Sequence, residues 1–180
     1  KPPQPDGLWK AVSMPSSYPR VYEADTGNNI YRRSVYTFWK RGMPPPQMTI
    51  LNAPSREECI ARRERTNTPL QALLLLNEEE YLKAAQHLAA RVISNESVAP
   101  AARVDEIYET ITSQLPGETE RRTMLKLAAD LQVRYQESPE LAEQLCGQRD
   151  LPGGVSTAQL AAWTLVASTI YNLDITKTRQ

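Results

Sequence analysis

Long apolar runs are missing from this 180-residue chain. The longest, Ala72 to Leu76, falls far short of the roughly 20 residues that a membrane-spanning helix needs, so no membrane span is expected. Histidine is down to one and cysteine to two. There is accordingly no Cys/His group with zinc spacing and no C-x-x-C-H haem attachment, and any metal would rest on carboxylates. Glycine is scarce at 7 residues; no glycine-rich phosphate loop, no G-x-S-x-G and no H-E-x-x-H occurs. No charged-then-apolar segment opens the chain, so an export signal is expected to have been removed or to lie outside it. Lys1 in first place suggests a processed or cut product.

Net charge is absent too: 21 Lys+Arg face 21 Asp+Glu. A pI near 6.8 argues against a general nucleic-acid binder, which carries a strong basic excess. The neutrality hides an asymmetry. Residues 1–70 hold 11 basic and 6 acidic side chains, a net of +5, and residues 71–180 hold 10 and 15, a net of −5. Arg32, Arg33, Lys40, Arg41, Arg56, Arg62, Arg63 and Arg65 are the densest part of the basic half. Docking of the basic half on the acidic half explains this more simply than an external polyanion does.

What is present suits one domain or slightly more. Hydrophobic residues make up 41% and mean hydropathy is −0.51, as for a globular chain able to bury roughly 70% of its unfolded surface. Cys59 and Cys146 can be read in two ways. A disulfide closing so long a loop would be worth roughly 4 kcal/mol in the chain-entropy model, while buried free thiols are the simpler reading.

Proline divides the chain, with ten of 14 in residues 1–70. Pro2, Pro3, Pro5, Pro15 and Pro19 forbid a long helix over 1–29, which reads as an extended arm pinned by Leu8, Trp9, Val12 and Met14. In Ile30–Arg41, the residues Ile30, Tyr31, Ser34, Val35, Phe38 and Trp39 repeat at helical spacing. We expect a helix there, although Val35–Trp39 also has strand-like composition. Gly42 would end it, with polyproline II over Met43–Pro46. Ser55 matches the capping pattern for a short helix through Glu58. Thr68-Pro69 starts a helix that Leu70, Leu73, Leu74 and Leu76 make apolar almost all round, so a central position is expected. Asn77 breaks it and caps the next, with Glu78, Glu79 and Glu80 at the positive end of the dipole.

The remaining apolar faces also keep helical spacing. They are Tyr81, Leu82, Ala85, Leu88, Ala89, Val92 and Ile93; then Val104, Ile107, Tyr108, Ile111 and Leu115; then Met124, Leu125, Ala128, Leu131 and Tyr135. Ser138-Pro139 opens a short helix that Gly147 stops, Pro152-Gly153-Gly154 is a loop, and Ser156 caps a last helix carrying Leu160, Trp163, Leu165, Val166, Ile170 and Leu173. The expected fold is mainly α: an irregular helical bundle over 30–180, wrapped by a proline-rich arm over 1–29.

Two groups of residues can be given chemistry. Arg62, Arg63, Arg65, Thr66, Asn67 and Thr68 precede a helix N-terminus, and forked guanidinium groups beside free N–H donors suit an anion. The alternative is that these arginines tie down the loop by pairing with carbonyls and with Glu57 and Glu58. Tyr31, Arg32, Arg33, Tyr36 and Trp39, with Phe38, form a basic and aromatic set that suits sugar stacking, or a core with one wet edge. His87 sits mid-helix without a nucleophile motif, and no catalytic residue is named.

The strings Tyr31-Arg32-Arg33-Ser34-Val35-Tyr36-Thr37-Phe38-Trp39-Lys40-Arg41, Pro44-Pro45-Pro46 and Asn52-Ala53-Pro54-Ser55-Arg56-Glu57 carry a resemblance. So do Arg62-Arg63-Glu64-Arg65-Thr66-Asn67-Thr68-Pro69-Leu70-Gln71-Ala72-Leu73 and the closing Ala162-Trp163-Thr164-Leu165 with Asn172-Leu173-Asp174. The chain resembles the planctomycete-specific C-terminal domain of unknown function, the PSD family, found in large exported proteins with cytochrome-c-type domains. The motifs cover residues 28–94 and 160–175, and the chain looks like the later part of that domain, its N-terminal portion being absent. The resemblance implies an exported setting, periplasmic or cell-envelope, and a companion polypeptide or upstream domain, with a c-type cytochrome as one candidate. It implies no cofactor in this chain, with haem c placed on a partner or upstream domain. It supplies no reaction, so whether the chain is an enzyme stays open. Two readings follow: a non-catalytic interaction module, and a binding or enzymatic domain for an acidic or sulfated glycan using the loop 62–68.

Overall fold

The structure, a computed structural model, describes residues 1, 4, 7–12, 14, 16, 21–40, 42–95, 97–147 and 155–178. The five prolines of the arm, Arg41 and the Pro152-Gly153-Gly154 loop lie outside the described residues. Regular structure among the described residues is helical: α1 Leu8–Val12, α2 Pro46–Ile50, α3 Pro69–Asn77, α4 Glu79–Ile93, α5 Pro100–Thr112, α6 Glu118–Glu137, α7 Pro139–Cys146, α8 Thr157–Tyr171 and α9 Asp174–Lys177. The nearest thing to a strand is a single bridge between Lys40 and Met43. The chain is mainly α, as the spacing of its apolar residues predicts. It divides into two compact units, Lys1–Arg65 and Thr66–Gln180.

The second unit is a helical bundle built around α8, which packs against α3, α4, α5, α6, α7 and α9. Ser156 caps α8, its Oγ accepting from Gln159 N at 3.2 Å. Leu160, Trp163, Val166 and Ile170 are buried on it, and so are Ala161, Ala162, Ala167 and Ser168. Small side chains between large ones let neighbouring helices approach from every side, which is why this helix takes the centre. The expected faces of α4 and α6 are inward, with Ala85, Leu88, Ala89, Val92 and Ile93 buried on α4, and Met124, Ala128 and Tyr135 on α6. Gln86 on α4 is buried as well, and donates to Leu145 O of α7 at 2.6 Å. Arg121 of α6 clasps Asp105 of α5 through Nε and Nη2 at 2.7 and 3.3 Å, a forked geometry that fixes the pair of helices. Leu115 departs from its expected face and is exposed. The cause is local: α5 ends at Thr112, and Ser113 takes a left-handed conformation at φ 62°.

The first unit is largely irregular. The helix expected over Ile30–Arg41 does not form; two 3-10 turns, Gly27–Ile30 and Ser34–Tyr36, stand there instead, with Arg33 and Thr37 extended on either side of the second. Val35–Trp39 is a run of β-branched and aromatic residues that lose rotamer freedom in a helix, and no side chain caps either turn. A short helix of that kind needs a buried face to offset nucleation, yet Tyr31, Val35 and Tyr36 remain exposed. Polyproline II is cut short as well, because Pro46 becomes the first residue of α2. The helix expected from Ser55 to Glu58 is also absent. Ser55 Oγ accepts from Glu57 N at 3.3 Å, a local turn that competes with capping, and Arg56 sits at φ 65°. Trp9 is the buried anchor of this unit, 4.8 Å from the Tyr22 ring and 6.1 Å from Phe38, with Lys40 Nζ 4.4 Å from its face. Leu8 is half-buried and Met14 exposed.

Candidate functional site

Thr68 opens α3 as its sequence suggests, and the cap is reciprocal. Thr68 Oγ1 accepts from Gln71 N at 3.3 Å, and Gln71 Oε1 accepts from Thr68 N at 3.1 Å. Gln71 Nε2 also donates to Thr66 Oγ1 at 2.7 Å, and Asn67 Nδ2 donates to Asp174 Oδ1 at 3.0 Å. The three polar residues of the candidate anion site thus hold the entry to α3 and its tie to α9, all within the second unit. Arg62, Arg63 and Arg65 fall in the first unit and are exposed. No ion pair or hydrogen bond joins their side chains to another described residue.

The aromatic and basic set also separates. Tyr31, Arg32, Arg33 and Tyr36 are exposed, while Trp39 is half-buried with the Arg56 guanidinium 4.9 Å from its ring centre. Arg56 Nη2 donates to Ser34 O at 3.4 Å, and Arg32 Nη2 donates to Asn29 Oδ1 at 2.9 Å. Arg56 is therefore the residue that sequence reasoning missed. Its signal was weak, an arginine between Ser55 and Glu57 in a proline-rich stretch, and only its position over Trp39 shows what it does.

On α3 the expectation of a central helix fails. Leu70, Leu73 and Leu76 are 57, 55 and 49% exposed, and Gln71 and Leu75 are the buried residues. At helical spacing these three leucines span an arc of roughly 120°, an apolar stripe wide enough to seat a helix on a partner surface. Asn77 belongs to α3, donating to Leu73 O at 3.0 Å, and Glu78 takes the cap position of α4. Lys83 pairs with Glu79 and Glu80 at 2.8 and 3.2 Å, and these bonds push its pKa up.

His87 is exposed on α4. Among the described residues, no group of three or more His, Cys, Asp or Glu gathers as a metal ion requires, and no helix is long and apolar enough to cross a membrane. Both cysteines are free thiols, Cys146 buried as expected and Cys59 exposed in the irregular loop after Ser55. Tyr108 is buried, with its hydroxyl donating to Glu120 Oε1 at 3.0 Å; burial first, then that carboxylate, raise its pKa. Glu120 Oε2 meanwhile accepts from Gly117 N at 2.7 Å, so the group is committed to capping α6.

These features define a helical module with an exposed apolar stripe on α3 and an exposed basic loop in the first unit. Residues 1–128 match the family model PSD1, protein of unknown function (DUF1553), and the chain belongs to that family. The match covers the first unit and runs into α6, so α7, α8 and the closing Ala162–Leu165 motif lie beyond it. No curated protein and no solved structure matches the chain.

Proposed function

We propose that the chain is a non-catalytic interaction module of an exported multidomain protein or complex, held to a companion polypeptide or upstream domain through α3. The exposed stripe Leu70, Leu73 and Leu76 carries this reading. Half-exposed leucines forgo about 1 kcal/mol each of burial, and a helix offering i, i+3 anchors is a recurring way to fill an apolar groove. The family resemblance supplies the setting: cell envelope or periplasm, with a c-type cytochrome as the first candidate companion and haem c on that partner.

Native mass spectrometry of the protein purified from its source tests this. The expected result is a complex heavier than 20.3 kDa that Leu73→Glu dissolves while leaving the circular dichroism melt unchanged. A lone unliganded chain, or a complex indifferent to Leu73→Glu, overturns it. A second reading, binding of an acidic or sulfated glycan, is favoured by one observation: Arg62, Arg63 and Arg65 are exposed and unpaired among the described residues. Heparin affinity lost on neutralising all three would support that reading, and heparin affinity that survives their removal would end it.

A further inference from the structure

We infer that the turn Tyr31–Tyr36 of the first unit is a docking surface for an acidic, aromatic-bearing segment of a partner protein. Three apolar or aromatic side chains project from this short turn: Tyr31, Val35 and Tyr36, at 62, 68 and 73% exposed. Arg33 stands among them, exposed, its guanidinium bonded to no other described residue.

The turn is held in place rather than left to wander. Tyr31 N donates to Asn28 O at 3.3 Å, Tyr36 N to Arg33 O at 2.9 Å and Thr37 N to Ser34 O at 3.1 Å. Arg56 adds a clamp from outside the turn, bonding Ser34 O while lying over Trp39. A surface whose backbone is already fixed costs less entropy to bind.

The occupant follows from charge and composition. Lys1–Arg65 contains 11 basic and 6 acidic side chains, a net of +5, so the partner segment is acidic. Tyrosine and arginine are the residue types that dominate protein–protein hot spots. The broadest ring of the set, the Trp39 indole, is half-buried and covered by Arg56, which leaves a sugar only the two tyrosine rings. The branched Val35 between the two tyrosines offers an aromatic side chain a van der Waals contact and a sugar's hydroxyls no hydrogen bond. This surface is separate from the α3 stripe and stands or falls apart from it.

The test uses the full chain and a fluorescently labelled random copolymer of glutamate and tyrosine, against poly-glutamate of equal length and against heparin. The copolymer is expected to bind about tenfold more tightly than poly-glutamate, with Tyr36→Ser and Arg33→Glu each costing about tenfold. Leu73→Glu should leave this binding unchanged, which separates it from the complex held through α3. Absence of binding, equal affinity for poly-glutamate, or indifference to Tyr36→Ser would overturn the inference. Tighter binding of heparin would do so too, and would assign the basic surface to a glycan.

Discussion

Apolar side chains in Thr66–Gln180 arrive at helical spacing and are mostly buried, whereas in Lys1–Arg65 Trp9 and Pro45 are the apolar side chains that are buried among the described residues. The second unit is held by a contiguous core running from Ala85 through Ile170. The first is held by a few ring contacts, two cations stacked on indoles, and backbone turns. Their charges differ as sharply, at +5 for the first unit and −5 for the second. The difference teaches that one chain can combine a bundle with its own contiguous core and a segment whose exposed aromatics are set by turns rather than by a core.

The strongest way to break this comparison is to remove the first unit. Arg62, Arg63 and Arg65 are exposed in an irregular loop, the kind of site proteases prefer. Brief trypsin treatment should release a fragment beginning near Thr66 that keeps its helical circular dichroism and a cooperative melt. A fragment that unfolds would mean that the bundle depends on the first unit.

Core substitutions come next. Trp163→Ala in α8 should cost about 3–5 kcal/mol, as for other large-to-small changes at buried aromatics, read from the urea midpoint by far-ultraviolet circular dichroism. Trp9→Ala should change the fluorescence attributable to the first unit but leave the helical melt within about 0.5 kcal/mol, the usual range for a site outside the core. Equal effects on the helical melt would make the two units one cooperative body. Smaller still is Thr68→Ala, which removes one half of the α3 cap and should cost about 1 kcal/mol. An unchanged melting temperature would show that Pro69 alone sets the helix start.

The last effect is confined to alkaline pH. Burial, then the Asp25 charge, push the Tyr22 hydroxyl up to about 12 from an ordinary value near 10. The folded chain keeps a proton that the unfolded chain gives up between those values. Stability from Tyr22 is therefore complete below about pH 10 and is lost as pH rises through about 12. Tyr22→Phe should flatten this arm in a tryptophan-fluorescence titration of the first unit, and an unaltered arm would assign it to other tyrosines.

Much of the bundle was legible in the residues themselves. Thr68-Pro69, Ser138-Pro139 and Ser156 mark helix starts, Gly147 marks a stop, and the faces of α4, α5 and α6 were readable from apolar spacing because a core imposes a 3.6-residue period on whatever packs against it. The Ile30–Arg41 stretch has the same period and no helix, since period shows what could share a face but not whether anything covers that face. The candidate anion site divided for a similar reason. Thr66, Asn67 and Thr68 looked like ligands next to Arg65, yet Gln71 and Asp174 claim them, and neither partner announces itself in sequence.

The pair α3 and α8 marks the limit most clearly. Both are apolar almost all round, so periodicity cannot rank them. The starts of α3, α7 and α8 at Thr68, Ser138 and Ser156 and the +5/−5 charge division were determined by sequence alone, because each depends on neighbours along the chain. Which apolar helix lies at the centre, which leucines face outward, and where Arg56 spends its charge were decided by tertiary packing. Those outcomes depend on how side-chain volumes and polar partners meet across distant segments, where the alanines and serine of α8 admit neighbours on every side and the leucines of α3 do not.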